Sequence, residues 1–150
     1  MRIRAMGKLS FQGNLLSLIR YLTEKEDSMP AVLVVDDEPL IRMNIAATFE
    51  DAGCETFQAA SSMDAIKRLM SNDRVDVVFT DIQMPGTMDG LALANYVQEH
   101  WPDMYIIVSS GFHLPDRRAL PRNSHFVAKP VRQDRLTEIA NDVCKRAAHD

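Results

Sequence analysis

Apolar residues along this chain fall in short unbroken runs, separated by longer stretches in which they recur every three or four positions. The strongest runs are Ala31 to Val35, Val75 to Thr80 and Tyr105 to Val108, with shorter ones near 55–59 and 125–128. Runs of this length read as buried strands, and the stretches between them read as helices. The first helix is expected from Pro39 to about Ala52, since proline suits an opening turn and Gly53 supplies a stop. Its inward stripe is Ile41, Ile45, Thr48 and Phe49. Ser61 or Ser62 can cap a second helix that buries Ala65, Ile66 and Leu69 and ends at Asn72 and Asp73. A third is expected from Asp89 or Gly90 to His100, with Leu91, Ala94 and Val97 inward and Trp101-Pro102 closing it. The last, Gln133 to Ala148, turns Leu136, Ile139, Ala140 and Val143 inward. Between Phe112 and His125, Pro115 and Pro121 leave little uninterrupted helix, so the fourth helix is expected to be short or irregular.

Five strands alternating with helices predict an α/β fold, a doubly wound parallel sheet. In such sheets the carboxyl ends of neighbouring strands open onto one crevice, where ligands bind. Asp36 and Asp37 follow the first run, and Asp81 follows the third strand, so the three carboxylates are expected to meet there. A hard cation such as Mg²⁺ offsets their repulsion and takes oxygen ligands. A carboxylate can also act as a nucleophile and form an aspartyl phosphate. The constellation therefore suggests phosphoryl chemistry, with helix capping as the competing use of Asp36 or Asp37.

Further motifs follow in order: Asp-Ile-Gln-Met-Pro-Gly-Thr-Met-Asp-Gly from Asp81, Ile-Ile-Val-Ser-Ser-Gly at 106–111 and Phe-Val-Ala-Lys-Pro at 126–130. With the acidic pair, these make the chain resemble the receiver domain of two-component response regulators over roughly residues 31–148. The resemblance implies a flavodoxin-like sheet with strand order 2-1-3-4-5. It implies Asp81 as the phosphoacceptor, and Mg²⁺ held by Asp37, Asp81 and the backbone carbonyl of Gln83, with Asp36 acting through water. Lys129 would hold the phosphoryl oxygens, or pair with Asp81 in their absence, from a cis peptide before Pro130. Ser110, followed by the small Gly111, matches the hydroxyl that bonds the phosphoryl group, with Ser109 as the competing assignment. Phe126 matches the aromatic whose rotamer follows phosphorylation, and core packing is its alternative. Gln83 and Phe112 occupy positions that tune water access. Two departures stand out. The loop after Asp81 is one residue longer than usual, predicting a bulge near Gly86-Thr87, and the segment between Gly111 and Phe126 is short.

A chain of 150 residues fits one domain, and its net charge of −4 argues against a dominant nucleic-acid surface. No apolar run reaches the length of a membrane span, and no signal-peptide core is evident. Cys54 and Cys144 fit no metal spacing and are read as two free thiols in a reducing cytoplasm, with a disulfide as the alternative. His100, His113, His125 and His149 show no metal-ligand spacing. Residues 1–28 read as an extension before a receiver at 29–150. Phe11, Leu15, Leu18, Ile19 and Leu22 share one helical face there, unless Met29 is the true start.

The expected function is that of a single-domain bacterial response regulator, since no output domain follows. It would accept phosphate from a histidine kinase or histidine phosphotransfer protein and signal through an unidentified downstream protein. The alternatives are a phosphate sink, a phosphorylation-independent binding module, and a phosphatase of the haloacid dehalogenase class. That last class generally needs a D-x-D arrangement that Asp36-Asp37-Glu38 lacks.

Overall fold

A computed structural model describes residues 15, 16, 19, 29–71, 74–111 and 115–149. In chain order the elements are β1 (Ala31–Val35), α1 (Pro39–Asp51), β2 (Glu55–Ala59), α2 (Ser62–Ser71) and β3 (Val77–Asp81). They continue with α3 (Gly90–His100), β4 (Tyr105–Ser110), a 3₁₀ turn (Arg117–Ala119), β5 (Ser124–Ala128) and α4 (Gln133–His149). The five strands form one parallel sheet in the order β2-β1-β3-β4-β5, as the resemblance implied.

Alternation along the strands divides the core between the two faces of the sheet. Val32 and Val34 of β1 join Phe79 and Ile107 beneath α1 and α4, where Ile45, Phe49, Leu136 and Ile139 pack. Leu33 and Val35 point the other way, joining Val78, Ile106 and Val108 beneath Ala65 and Leu69 of α2 and Leu93 and Val97 of α3. Phe79 and Phe49 meet edge to face, with ring centroids 5.9 Å apart.

Helix ends follow local chemistry. Ser61 Oγ accepts from Asp64 N at 3.1 Å and so opens α2, while Asp89 Oδ1 accepts from Ala92 N at 2.9 Å and opens α3. Glu38, rather than Asp36 or Asp37, stands at the N-cap of α1, and its side chain makes no capping bond. Gly53 takes φ 100° just beyond that helix, and Gly86 takes φ 115° at the predicted bulge. Ile41 is only partly buried, and Ala46 takes a place in the core that the stripe omitted.

The fourth crossover, expected to be a short or irregular helix, holds only the 3₁₀ turn among its described residues. One expectation changes. Cys54 and Cys144 are not free thiols: they are joined as a disulfide between buried positions, with Cα atoms 5.9 Å apart, inside the usual disulfide range. Gly53 ends α1 so that Cys54 turns back beneath α4, bringing together two residues 90 apart in sequence. Of the predicted N-terminal face, Leu15 and Ile19 are helical and exposed; Phe11, Leu18 and Leu22 lie outside the described residues, as do Phe112 and His113. No described helix is long and apolar enough to cross a membrane.

Candidate functional site

The site forms where β1 and β3 end side by side. Val35 pairs with Thr80 in the ladder, so the next residues, Asp36 and Asp81, emerge together at the point where the strand order reverses. Asp36, Asp37 and Asp81 each offer a carboxylate oxygen within 4.8 Å of the others, the one such group among the described residues. Asp36 and Asp81 are buried at 1% and 5% exposure, and Asp37 is half-buried.

Lys129 answers this charge from the end of β5. Its backbone N–H donates to Ser110 O at 2.9 Å and its peptide to Pro130 is cis. Its Nζ lies 3.1 Å from Asp81 Oδ2 and 3.7 Å from Asp36 Oδ2. Burial pushes the Asp36 carboxyl above its ordinary value of 3.8, and the neighbouring Asp81 and Asp37 push the same way. The Glu38 N–H, donating to Asp36 Oδ1 at 2.9 Å, and the Lys129 ammonium oppose the rise. One lysine leaves three clustered carboxylates incompletely neutralised, and an oxygen-lined site with excess negative charge has the donor chemistry a hard divalent cation requires.

The two serines of β4 end on the same ladder. Ser109 pairs with both Asp81 and Val127, and Ser110 pairs with Ala128. Both are buried, their side chains alternate across the sheet, and Ser109 Oγ has no partner among the described residues. Gln83 N donates to Asp81 Oδ1 at 3.3 Å, which folds the post-strand loop back over that carboxylate. Phe126 is half-buried on β5.

Across residues 32–141 the sequence matches the family described as the response regulator receiver domain. The chain belongs to this family. Among similar proteins, the C4-dicarboxylate transport transcriptional regulatory protein DctD of Rhizobium meliloti is 36% identical over 114 residues, covering 74% of this chain and 24% of DctD. The nitrogen assimilation regulatory protein NtrX of Azorhizobium caulinodans is 30% identical over 112 residues, 72% of this chain and 24% of that protein. The receiver thus spans about a quarter of the length of these relatives. The crystal structure of the NtrX receiver domain from Brucella abortus is similar, with TM-score 0.66, 32% identity, and coverage of 79% of this chain and 98% of that one. A receiver domain protein from Clostridium thermocellum gives TM-score 0.69 at 29% identity, covering 79% and 96%.

Two residues of this receiver's site escaped the sequence. Arg42 Nη1 donates to Asp36 O at 2.8 Å while its Nε donates to Gln58 at 3.1 Å, tying the acidic loop to β2. Its partners come from different elements, so no local pattern marks it. Gly90 is the second: its N donates to Ile82 O at 2.8 Å, and a Cβ there would overlap the Asp81 carbonyl and come within 2.8 Å of Ile82 Cα. The signal was available, because a glycine directly after the Asp89 cap serves no helical purpose.

Proposed function

We propose that this receiver accepts a phosphoryl group on Asp81 from a phosphohistidine of a histidine kinase or histidine phosphotransfer protein, and signals by changing a protein-binding surface. The observation that carries the reading is the Lys129 ammonium held between Asp81 and Asp36 beside three mutually close carboxylates. An Asp81 carboxylate oxygen attacks phosphorus in line, the P–N bond to the donor imidazole breaks, and the electron pair of that bond leaves with the imidazole. Lys129 moves from the Asp81 carboxylate to a phosphoryl oxygen, a point charge placed where negative charge builds. Ser110 donates its hydroxyl to another oxygen. Asp37, Asp81 and the Gln83 carbonyl would hold Mg²⁺ directly and Asp36 through water. When bound, the ion neutralises the acidic cluster and the incoming phosphoryl charge.

The phosphoryl group adds negative charge and acceptor oxygens, so Ser110 and Lys129 are drawn inward and Phe126 turns into the space they vacate. The switch reaches a partner only if that partner prefers one of the two surfaces. The setting in this reading is the bacterial cytoplasm. The reduced fourth crossover favours one second reading, a phosphate sink that takes phosphate without signalling. Partner affinity unchanged by phosphorylation would favour the sink.

The first test is incubation with acetyl phosphate and Mg²⁺, read by intact mass. Wild type is expected to gain one phosphoryl group, while Asp81→Asn and a chelator-treated sample gain none. Incorporation undiminished in Asp81→Asn would remove Asp81 from its role.

A further inference from the structure

Among its described residues, the crossover from β4 to β5 places only the 3₁₀ turn, and no longer helix, against the second sheet face. An open cleft of about 550 Å³ is bordered by the 3₁₀ turn and β5. Leu120, Pro121 and Phe126 give it apolar walls, and the Arg117 and Arg122 guanidinium groups, with His125 beside them, give it an exposed polar rim. The chain is acidic overall at −4, yet residues 117–125 hold three arginines and a histidine with no Asp or Glu. The nearest acid, Asp116, turns its carboxylate to Arg118 N at 3.0 Å. No carboxylate pairs with Arg117, Arg122 or His125 among the described residues.

Exposed guanidinium groups around aromatic and aliphatic walls are the composition of protein-binding surfaces, and their charge selects acidic partners. We propose that this cleft binds an acidic segment of another protein in the unphosphorylated state. Carboxylates of the segment would lie on Arg117 and Arg122, and an apolar side chain would pack against Leu120 and Phe126. Residues 1–22 of the chain itself are a poor occupant, because they carry Arg2, Arg4, Lys8 and Arg20 and no acid; Glu24, Glu26 and Asp27 follow them, and a change of the 117–126 amide shifts on deleting residues 1–28 would assign the cleft to that segment and overturn the proposal. The proposal deepens the reading above by giving the chemistry of its downstream partner, and rests on that reading only for the partner being downstream.

The test uses the full chain without any phosphodonor. Random twelve-residue peptides displayed on phage are selected on wild type, and the most enriched peptide is synthesised for titration by NMR. The expected pool is rich in Asp and Glu with Leu, Phe or Trp anchors, and amide shifts gather at 117–126. Binding is expected to weaken at least tenfold in R117E/R122E and partially in R117Q/R122Q, to weaken as salt rises, and to be unchanged in K67E, on the exposed face of α2. Melting curves of the variants check that they are folded. Absence of enrichment, a neutral or basic pool, shifts elsewhere, or undiminished binding by folded R117E/R122E overturns the proposal. So does concentration-dependent movement of 117–126 without peptide, which would assign the cleft to a second copy. Failure of phosphoacceptance moves none of these readouts.

Discussion

Asp36 illustrates how this site trades stability for affinity. Its carboxylate is nearly inaccessible to water and crowded by two others, so it binds a proton more readily in the folded chain than in the unfolded one. By linkage, its contribution to stability is present below the ordinary value of 3.8 and is lost as pH rises through the raised folded-state value. Asn in its place keeps an oxygen for the Glu38 N–H without the charge. Asp36→Asn is expected to stabilise the cation-free protein at neutral pH by about 1 to 2 kcal/mol, roughly 2 to 8 °C in Tm. It should also reduce the further rise in Tm expected of wild type on adding Mg²⁺. Melting in EDTA and in Mg²⁺ checks both, and a lower Tm for the variant in EDTA would contradict the account. The same titration predicts that Mg²⁺ affinity falls as pH drops through the raised value, since the ion competes with a proton.

Among the elements, the junction of β3 with α3 is the least forgiving. Any side chain at Gly90 meets the Asp81 and Ile82 backbone rather than a movable side chain. Gly90→Ala is therefore expected to cost about 3 kcal/mol or more, at or above the usual range for overpacking. Urea unfolding measures this, and a loss under about 1 kcal/mol would mean the turn relaxes freely. Much of this level was readable in advance. Val32 and Leu33 are both apolar because β1 is covered on both faces, and that continuity marked the strand. The apolar run marks β4 only as far as Val108, because the strand ends on Ser109 and Ser110, polar residues in buried ladder positions. Of the site, the carboxylates and Lys129 could be read because strand ends and motif order carry them. Arg42 could not, since its hydrogen bonds depend on how α1 lies against β2.

For the whole molecule, the disulfide is the feature local pattern could not supply, because pairing residues 90 positions apart is a property of the assembled fold. In the chain-entropy account a closed loop of this size contributes about 4 to 5 kcal/mol. Reduction without denaturant is therefore expected to lower Tm by roughly 8 to 20 °C, checked by calorimetry with and without a phosphine reductant. The proposed boundary gives a second prediction at this scale. Deleting residues 1–28 should leave acetyl phosphate incorporation intact, whereas its loss would make the extension part of the receiver.

The Cys54–Cys144 link also fixes how the chain responds to cutting. A protease that cleaves once between those residues opens a ring rather than releasing a piece. The nicked protein gains only the one water of hydrolysis and runs as one species on a non-reducing gel, then separates into two fragments only when thiol is added.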